Sequence, residues 1–198
     1  MRRILLLIAG VAAVLGLVGG LAPAVWAQAA QATSAPYCGI TWGSLPKKDN
    51  VYTYTSAAIT NLRAGRHSCF DRFVIDLGAP WPGAPTAPVF GYQVSYGSAP
   101  SDEETGAPIP FAGRAFLGVV VNAAAHDDNY NPTYVPVDRL HAVNVTGFQT
   151  LRQVGFFGTF ERQTAIVLGV RARLPFRVFV LSGPGAGSRL VIDIAHRW

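Results

Sequence analysis

The chain has 198 residues, 50% of them hydrophobic and only 14% charged, with 21 Gly, 14 Pro, 11 Phe and 7 Tyr following no period. That composition excludes a disordered chain, which would be poor in Phe, Val, Ile and Leu, and it excludes collagen-like and coiled-coil classes. The formal net charge is +5, and the length suits one globular domain behind a targeting segment.

Arg2-Arg3 precede an apolar run from Ile4 to Ala22, then Pro23 and a stretch ending Val25-Trp26-Ala27, with small residues at −3 and −1 of a cut after Ala27. A basic start, an apolar stretch and small residues before the cut predict a secretory signal peptide over residues 1–27. The competing reading is an uncleaved membrane anchor, since the run is long enough to span a bilayer. Contact with a membrane is expected only in that case. Without residues 1–27 the net charge is +3, and it is unevenly spread. Residues 28–138 carry six Lys/Arg against nine Asp/Glu, whereas residues 139–198 carry eight Arg against Glu161 and Asp193. Such asymmetry suggests an anionic partner for the C-terminal part, with a solvated basic face as the alternative. No nucleic acid is expected as a partner: the chain reads as exported and has no basic run or nucleic-acid-binding motif.

Residues 28–57 read as a flexible start followed by an irregular leader, Tyr37 to Ser56, which contains Trp42 and Lys47-Lys48. Cys38 and Cys69 are the only cysteines, so export makes a disulfide between them the default. A free thiol or a metal pair are the alternatives. The bond would staple the leader to the domain, and by loop-closure entropy would add roughly 3–4 kcal/mol.

A single β domain is predicted over 58–198. Phe70 to Leu77 alternates, with Phe73, Ile75 and Leu77 on one face and Arg72, Val74 and Asp76 on the other, as a half-buried strand requires. The segment from Gly78 to Pro88, with four prolines, must be a loop. Further strands are predicted at Val89–Tyr96, Ala115–Asn122, Phe148–Phe157, Thr164–Arg171, Phe176–Leu181 and Arg189–Ala195, with loops at Ser98–Pro110 and Asp127–Pro136. About eight short strands without helical periodicity predict an all-β sandwich or barrel. An internal echo stands out. Arg72-Phe-Val-Ile-Asp76-Leu77 and Arg189-Leu-Val-Ile-Asp193-Ile194 place Arg and Asp on the same strand face in both copies. The echo suggests two related strands in a pseudo-symmetric sandwich, each with an Arg–Asp pair of its own.

Five blocks, in order, carry a resemblance: Cys38-Gly-Ile-Thr-Trp42-Gly, Arg63-Ala-Gly-Arg66-His67-Ser-Cys69-Phe-Asp71-Arg72, Leu151-Arg152-Gln153-Val154, Leu174-Pro-Phe-Arg177-Val178-Phe179, and Ser188-Arg189-Leu-Val-Ile-Asp193-Ile-Ala-His196-Arg-Trp198. From Tyr37 to Trp198 the chain resembles the AMIN-like domain proteins of high-GC Gram-positive bacteria. The resemblance implies a β-sandwich of two similar antiparallel sheets. It also implies a non-catalytic module for peptidoglycan or another envelope polysaccharide, although AMIN domains usually accompany a second domain that this chain lacks.

Catalytic patterns are absent: the sequence holds no GxSxG, HExxH or P-loop. No enzyme activity, metal or cofactor is expected. Asp127, Asn129, Asn131 and Asp138 imitate the oxygen spacing of a calcium loop, but Pro132 replaces its glycine, and an Asx-rich turn competes. Glycan stems offer carboxylates that Arg grips bidentately and sugar faces that stack on rings. The candidate binding residues are therefore Arg72, Arg171, Arg173, Arg177 and Arg189, with Trp42, Tyr92 and Tyr96 as platforms that compete with core packing. The expected partner is a cell-wall polysaccharide, or alternatively an envelope protein that the module recruits or regulates.

Overall fold

The computed structural model describes residues 35–49, 54–80 and 90–198. The expected signal segment, most of the flexible start and most of the proline-rich 78–88 loop lie outside the described residues.

Among the described residues, nine strands form two antiparallel sheets packed face to face. The larger sheet contains β1 (Lys47–Lys48), β4 (Tyr92–Gly97), β5 (Ala115–Val121), β6 (Leu151–Phe160) and β7 (Gln163–Val170), in the order β1-β4-β5-β7-β6. The smaller contains β2 (Ile59–Arg66), β3 (Phe70–Leu77), β8 (Phe176–Ser182) and β9 (Ser188–Ala195), in the order β2-β3-β9-β8. Period-2 alternation sends one side of each strand inward. Phe73, Ile75, Leu77, Phe176, Leu190, Ile192 and Ile194 from one sheet meet Val94, Leu117, Val119, Leu151, Val154, Ile166 and Leu168 from the other in one core.

The two echo strands are not counterparts in opposite sheets. They are neighbours, β3 and β9, at the centre of the smaller one, with Arg72 opposite Asp193, Val74 opposite Val191 and Asp76 opposite Arg189. The repeat is thus a local two-fold between antiparallel partners. It also corrects the expected pairing. Four residues along a strand span about 13 Å, too far for Arg and Asp of one copy to meet, whereas directly opposed residues lie about 5 Å apart. Asp193 accordingly binds Arg72 of the neighbouring strand, and Asp76 binds Arg63 of β2 at 2.7 Å.

The leader is more regular than its composition suggests. Cys38 and Cys69 form the disulfide. Phe176 N donates to Gly43 O, and β1 pairs with β4. The segment therefore ties the β8 edge of one sheet to the β4 edge of the other. Strand β6 starts at Leu151, three residues later than its apolar pattern, because Thr150 N and Leu151 N donate to the Asp71 carboxylate. Over the larger sheet, the 111–113 segment lies so close to β7 that a Cβ on Gly169 would strike Ala112 O. Gly113, at φ +141°, would put a Cβ 2.9 Å from Val170 N. No side chain fits at either position.

Candidate functional site

The outward face of the smaller sheet carries a preformed cationic and aromatic patch. Asp193, on β9, is flanked by Arg72 on β3 and Arg177 on β8, its register partners on either side. Arg72 Nε and Nη2 donate to the two carboxylate oxygens at 2.6 and 2.9 Å. Arg177 Nε and Nη2 lie 2.8 and 2.7 Å from Oδ2. The carboxylate is fully buried beneath the two guanidiniums, whose side chains remain 27% and 35% exposed. Two cations share one anion, so the patch keeps a surplus positive charge, and no partner engages Nη1 of either arginine among the described residues.

Rings hold this pair in place. Arg72 Cζ sits 5.3 Å from the Phe70 centroid and 5.6 Å from that of Phe179. Arg177 Cζ lies 5.2 Å from Phe179, 5.5 Å from Phe70 and 5.7 Å from Trp42. Such contacts are worth roughly 0.5–1 kcal/mol each at partly exposed sites, but their larger effect is to fix the forks in one orientation. The leader completes the patch: Cys69 adjoins Phe70, Cys38 lies four residues before Trp42, and Trp42 Nε1 donates to Tyr37 O at 2.9 Å. The disulfide thereby places an indole beside a guanidinium that belongs to another strand.

The remaining sequence-derived candidates lie elsewhere. Arg189 shares the outward face but donates to Ser182 O, and its Nε is buried without a partner. Arg171 donates to Gln149 O and His196 O. Arg173 stacks 4.9 Å over the Tyr96 ring. Tyr92 and Tyr96 do share a strand face, and it is the one packed against the core. Tyr96 OH donates to Leu174 O at 2.7 Å and accepts from Leu174 N at 3.1 Å, and its ring meets Phe176 edge-on. Burial pushes the Tyr96 phenol up to about 12, against smaller lowering effects of the hydrogen bond from the Leu174 backbone N–H and of Arg173. The sign follows from linkage: the unfolded chain releases the proton first, so this contribution is complete below about pH 10 and disappears as pH rises towards 12. We expect stability to fall by about 2 kcal/mol over that range, discounted for partial exposure of the ring. Urea unfolding of Tyr96→Phe checks this: the variant should lose about 1–2 kcal/mol at neutral pH and show a shallower alkaline decline, the remainder coming from Tyr92 and Tyr134, also raised by burial.

Two acidic features form local hydrogen-bonded turns. Asp127 Oδ1 accepts from Asn129 N and Asn131 N, and Oδ2 from Asn131 Nδ2, an Asx-type turn that holds the carboxyl below its usual range through Asn131. Asp138 caps Leu140 N and pairs with His141 Nδ1. Asp71 escaped the sequence reading. It is fully buried, and its carboxylate receives Thr150 N, Leu151 N and His196 Nε2. Its strand phase, shared with Phe73, Ile75 and Leu77, was the available signal.

The architecture is an antiparallel two-sheet sandwich with a partly exposed arginine–aromatic surface on its smaller sheet. Among the described residues no three His, Cys, Asp or Glu side chains gather as a metal site. The chain belongs to the AMIN-like domain family, whose profile matches residues 57–196, more than two thirds of its length. Membership marks a cell-envelope-related module, and together with the disulfide it suits an extracytoplasmic protein. Neither curated proteins nor solved structures returned a match.

Proposed function

We propose that the protein is an exported, non-catalytic module that holds a cell-wall glycan, peptidoglycan foremost, on the outward face of its smaller sheet. The observation that carries this reading is the Arg72–Asp193–Arg177 triad: two oriented guanidinium forks, whose Nη1 groups have no partner among the described residues, framed by Phe70, Phe179 and Trp42. Peptide-stem carboxylates match those N–H groups, and sugar faces match the rings. The buried carboxylate keeps the arginines in position before a ligand arrives, which reduces the ordering cost of binding.

The test is co-sedimentation with insoluble peptidoglycan. Arg72→Ala and Arg177→Ala are each expected to reduce retention about tenfold, and retention is expected to weaken as salt rises. Retention indifferent to salt and to both substitutions would remove this reading. A second reading, a module that recruits or restrains an envelope enzyme, draws on exposed apolar side chains: Tyr130 (80%), Val135 (73%), Val137 (109%) and Phe160 (79%). It predicts that Val137→Ser and Phe160→Ser abolish capture of an envelope protein while wall retention is absent from the start.

A further inference from the structure

A second cationic surface lies where β5 begins, β6 begins and β7 ends. Gly113, Arg114, Arg152, Arg171 and Ala172 line an open depression of about 500 Å³. No acidic residue is among them, and among the described residues no carboxylate pairs with any of its three arginines. We infer that this depression binds a phosphate monoester carried on a larger molecule, an inference independent of the wall-binding reading and of the Arg72–Arg177 patch.

The arginines are held in place without being neutralised. Arg152 Nη1 donates to Phe148 O and Leu151 O at 2.8 and 2.9 Å, and its Nη2 to Gln149 O at 3.1 Å. Arg171 Nε donates to that same Gln149 oxygen at 3.1 Å, and Nη2 to His196 O at 2.6 Å. Two cations thus meet on one neutral acceptor. That arrangement costs repulsion, which an incoming anion would relieve. Arg114 also lines the depression, its backbone fixed by donation to Val170 O at 2.8 Å. The walls between them are Gly113 and Ala172, too small to obstruct access.

The number of cations selects the ligand. A carboxylate carries one charge on two coplanar oxygens, which a single guanidinium fork satisfies. A phosphate monoester carries about −1.5 to −2 charges and three acceptor oxygens at neutral pH, matching three cations that line one depression without a counter-ion among the described residues. The openness of the depression suits a phosphate attached to a bulky carrier better than an enclosed ion.

The test is titration of the full chain at low ionic strength with inorganic phosphate, phenyl phosphate and acetate, following the arginine Nε–H signals by NMR. Both phosphates are expected to saturate and to shift Arg114, Arg152 and Arg171, with acetate about tenfold weaker. Arg114→Ala should weaken phosphate at least about tenfold and Arg114→Lys less, because lysine keeps the charge but not the fork. Arg173→Ala, which removes an equal charge outside the depression, should change affinity less than about twofold. A drift without saturation, acetate binding as tightly as phosphate, equal losses in Arg114→Ala and Arg173→Ala, or failure of phenyl phosphate where inorganic phosphate binds would each overturn the inference. Wall retention measured on Arg114→Ala keeps the two surfaces apart, since only the Arg72–Arg177 patch is expected to govern it.

Discussion

Asp193→Ala is expected to lower the free energy of unfolding by about 3–5 kcal/mol, far more than the roughly 0–1 kcal/mol of an ordinary surface pair. The difference lies in burial. Asp193 is wholly covered, and its removal leaves the Arg72 and Arg177 guanidiniums facing each other over a void, with their Nε donors unsatisfied. Each arginine can swing partly into solvent, which places the loss at the lower end of that range. A triple variant, Arg72→Met, Arg177→Met and Asp193→Leu, provides the counterpart. It replaces charge by apolar volume between Phe70 and Phe179, and such replacements are often neutral or stabilising. Equilibrium urea unfolding should therefore rank the triple variant near the wild type and Asp193→Ala well below both. If wall retention is lost in the stable triple variant, the triad serves recognition and is not needed for folding. A loss below 1 kcal/mol in Asp193→Ala would show that the two guanidiniums need no counter-ion.

The architecture was legible because it depends on local periodicity. Phe73, Ile75 and Leu77 alternate so regularly with Arg72, Val74 and Asp76 that strand, face and phase follow from the sequence, and the structure keeps all three. The disulfide followed from there being only two cysteines in a chain read as exported. Pairing between strands was not legible. The Arg-x-Val-Ile-Asp echo pointed to symmetry, but its placement depends on which strands neighbour each other, which no window of sequence encodes; hence the two copies proved adjacent, with Arg72 paired to Asp193 of the other copy while Asp76 took Arg63 and Arg189 turned to Ser182 O. The same limit scattered the arginine cluster. Arg171, Arg173 and Arg177 lie six residues apart at most, yet the turn between β7 and β8 sends them to the three-arginine depression, the Tyr96 ring and the Asp193 patch. Strand alternation placed Tyr92 and Tyr96 together, and only the sheet packing decided that their shared side faces the core.

Asp71→Ala is expected to cost about 3–5 kcal/mol, comparable with Asp193→Ala but for a different reason. Asp193 balances charge on a surface, whereas Asp71 joins the two sheets. Its Oδ2 receives Thr150 N, just before β6, and Leu151 N, the first amide of that strand, and its Oδ1 receives His196 Nε2 just beyond β9. All four groups are buried, so truncation strands three donors with no water to replace the acceptor. Asp71→Asn keeps the volume and one acceptor oxygen but turns an amide NH2 towards donors, and should fall between the wild type and Asp71→Ala. His196→Ala removes a single hydrogen bond and should cost about 1–3 kcal/mol, with a coupling to Asp71→Ala of at least 0.5 kcal/mol in a double-mutant cycle. The consequence extends to both candidate surfaces. Asp71 adjoins Arg72, His196 N donates to Cys69 O beside the disulfide, and His196 O receives Arg171. Amide hydrogen exchange should therefore speed up in Asp71→Ala at the start of β6 and the end of β9 together, while the far ends of β3 and β9 near Leu77 and Ser188 stay protected. Exchange confined to β6 would mean that the carboxylate merely caps one strand and does not link the sheets.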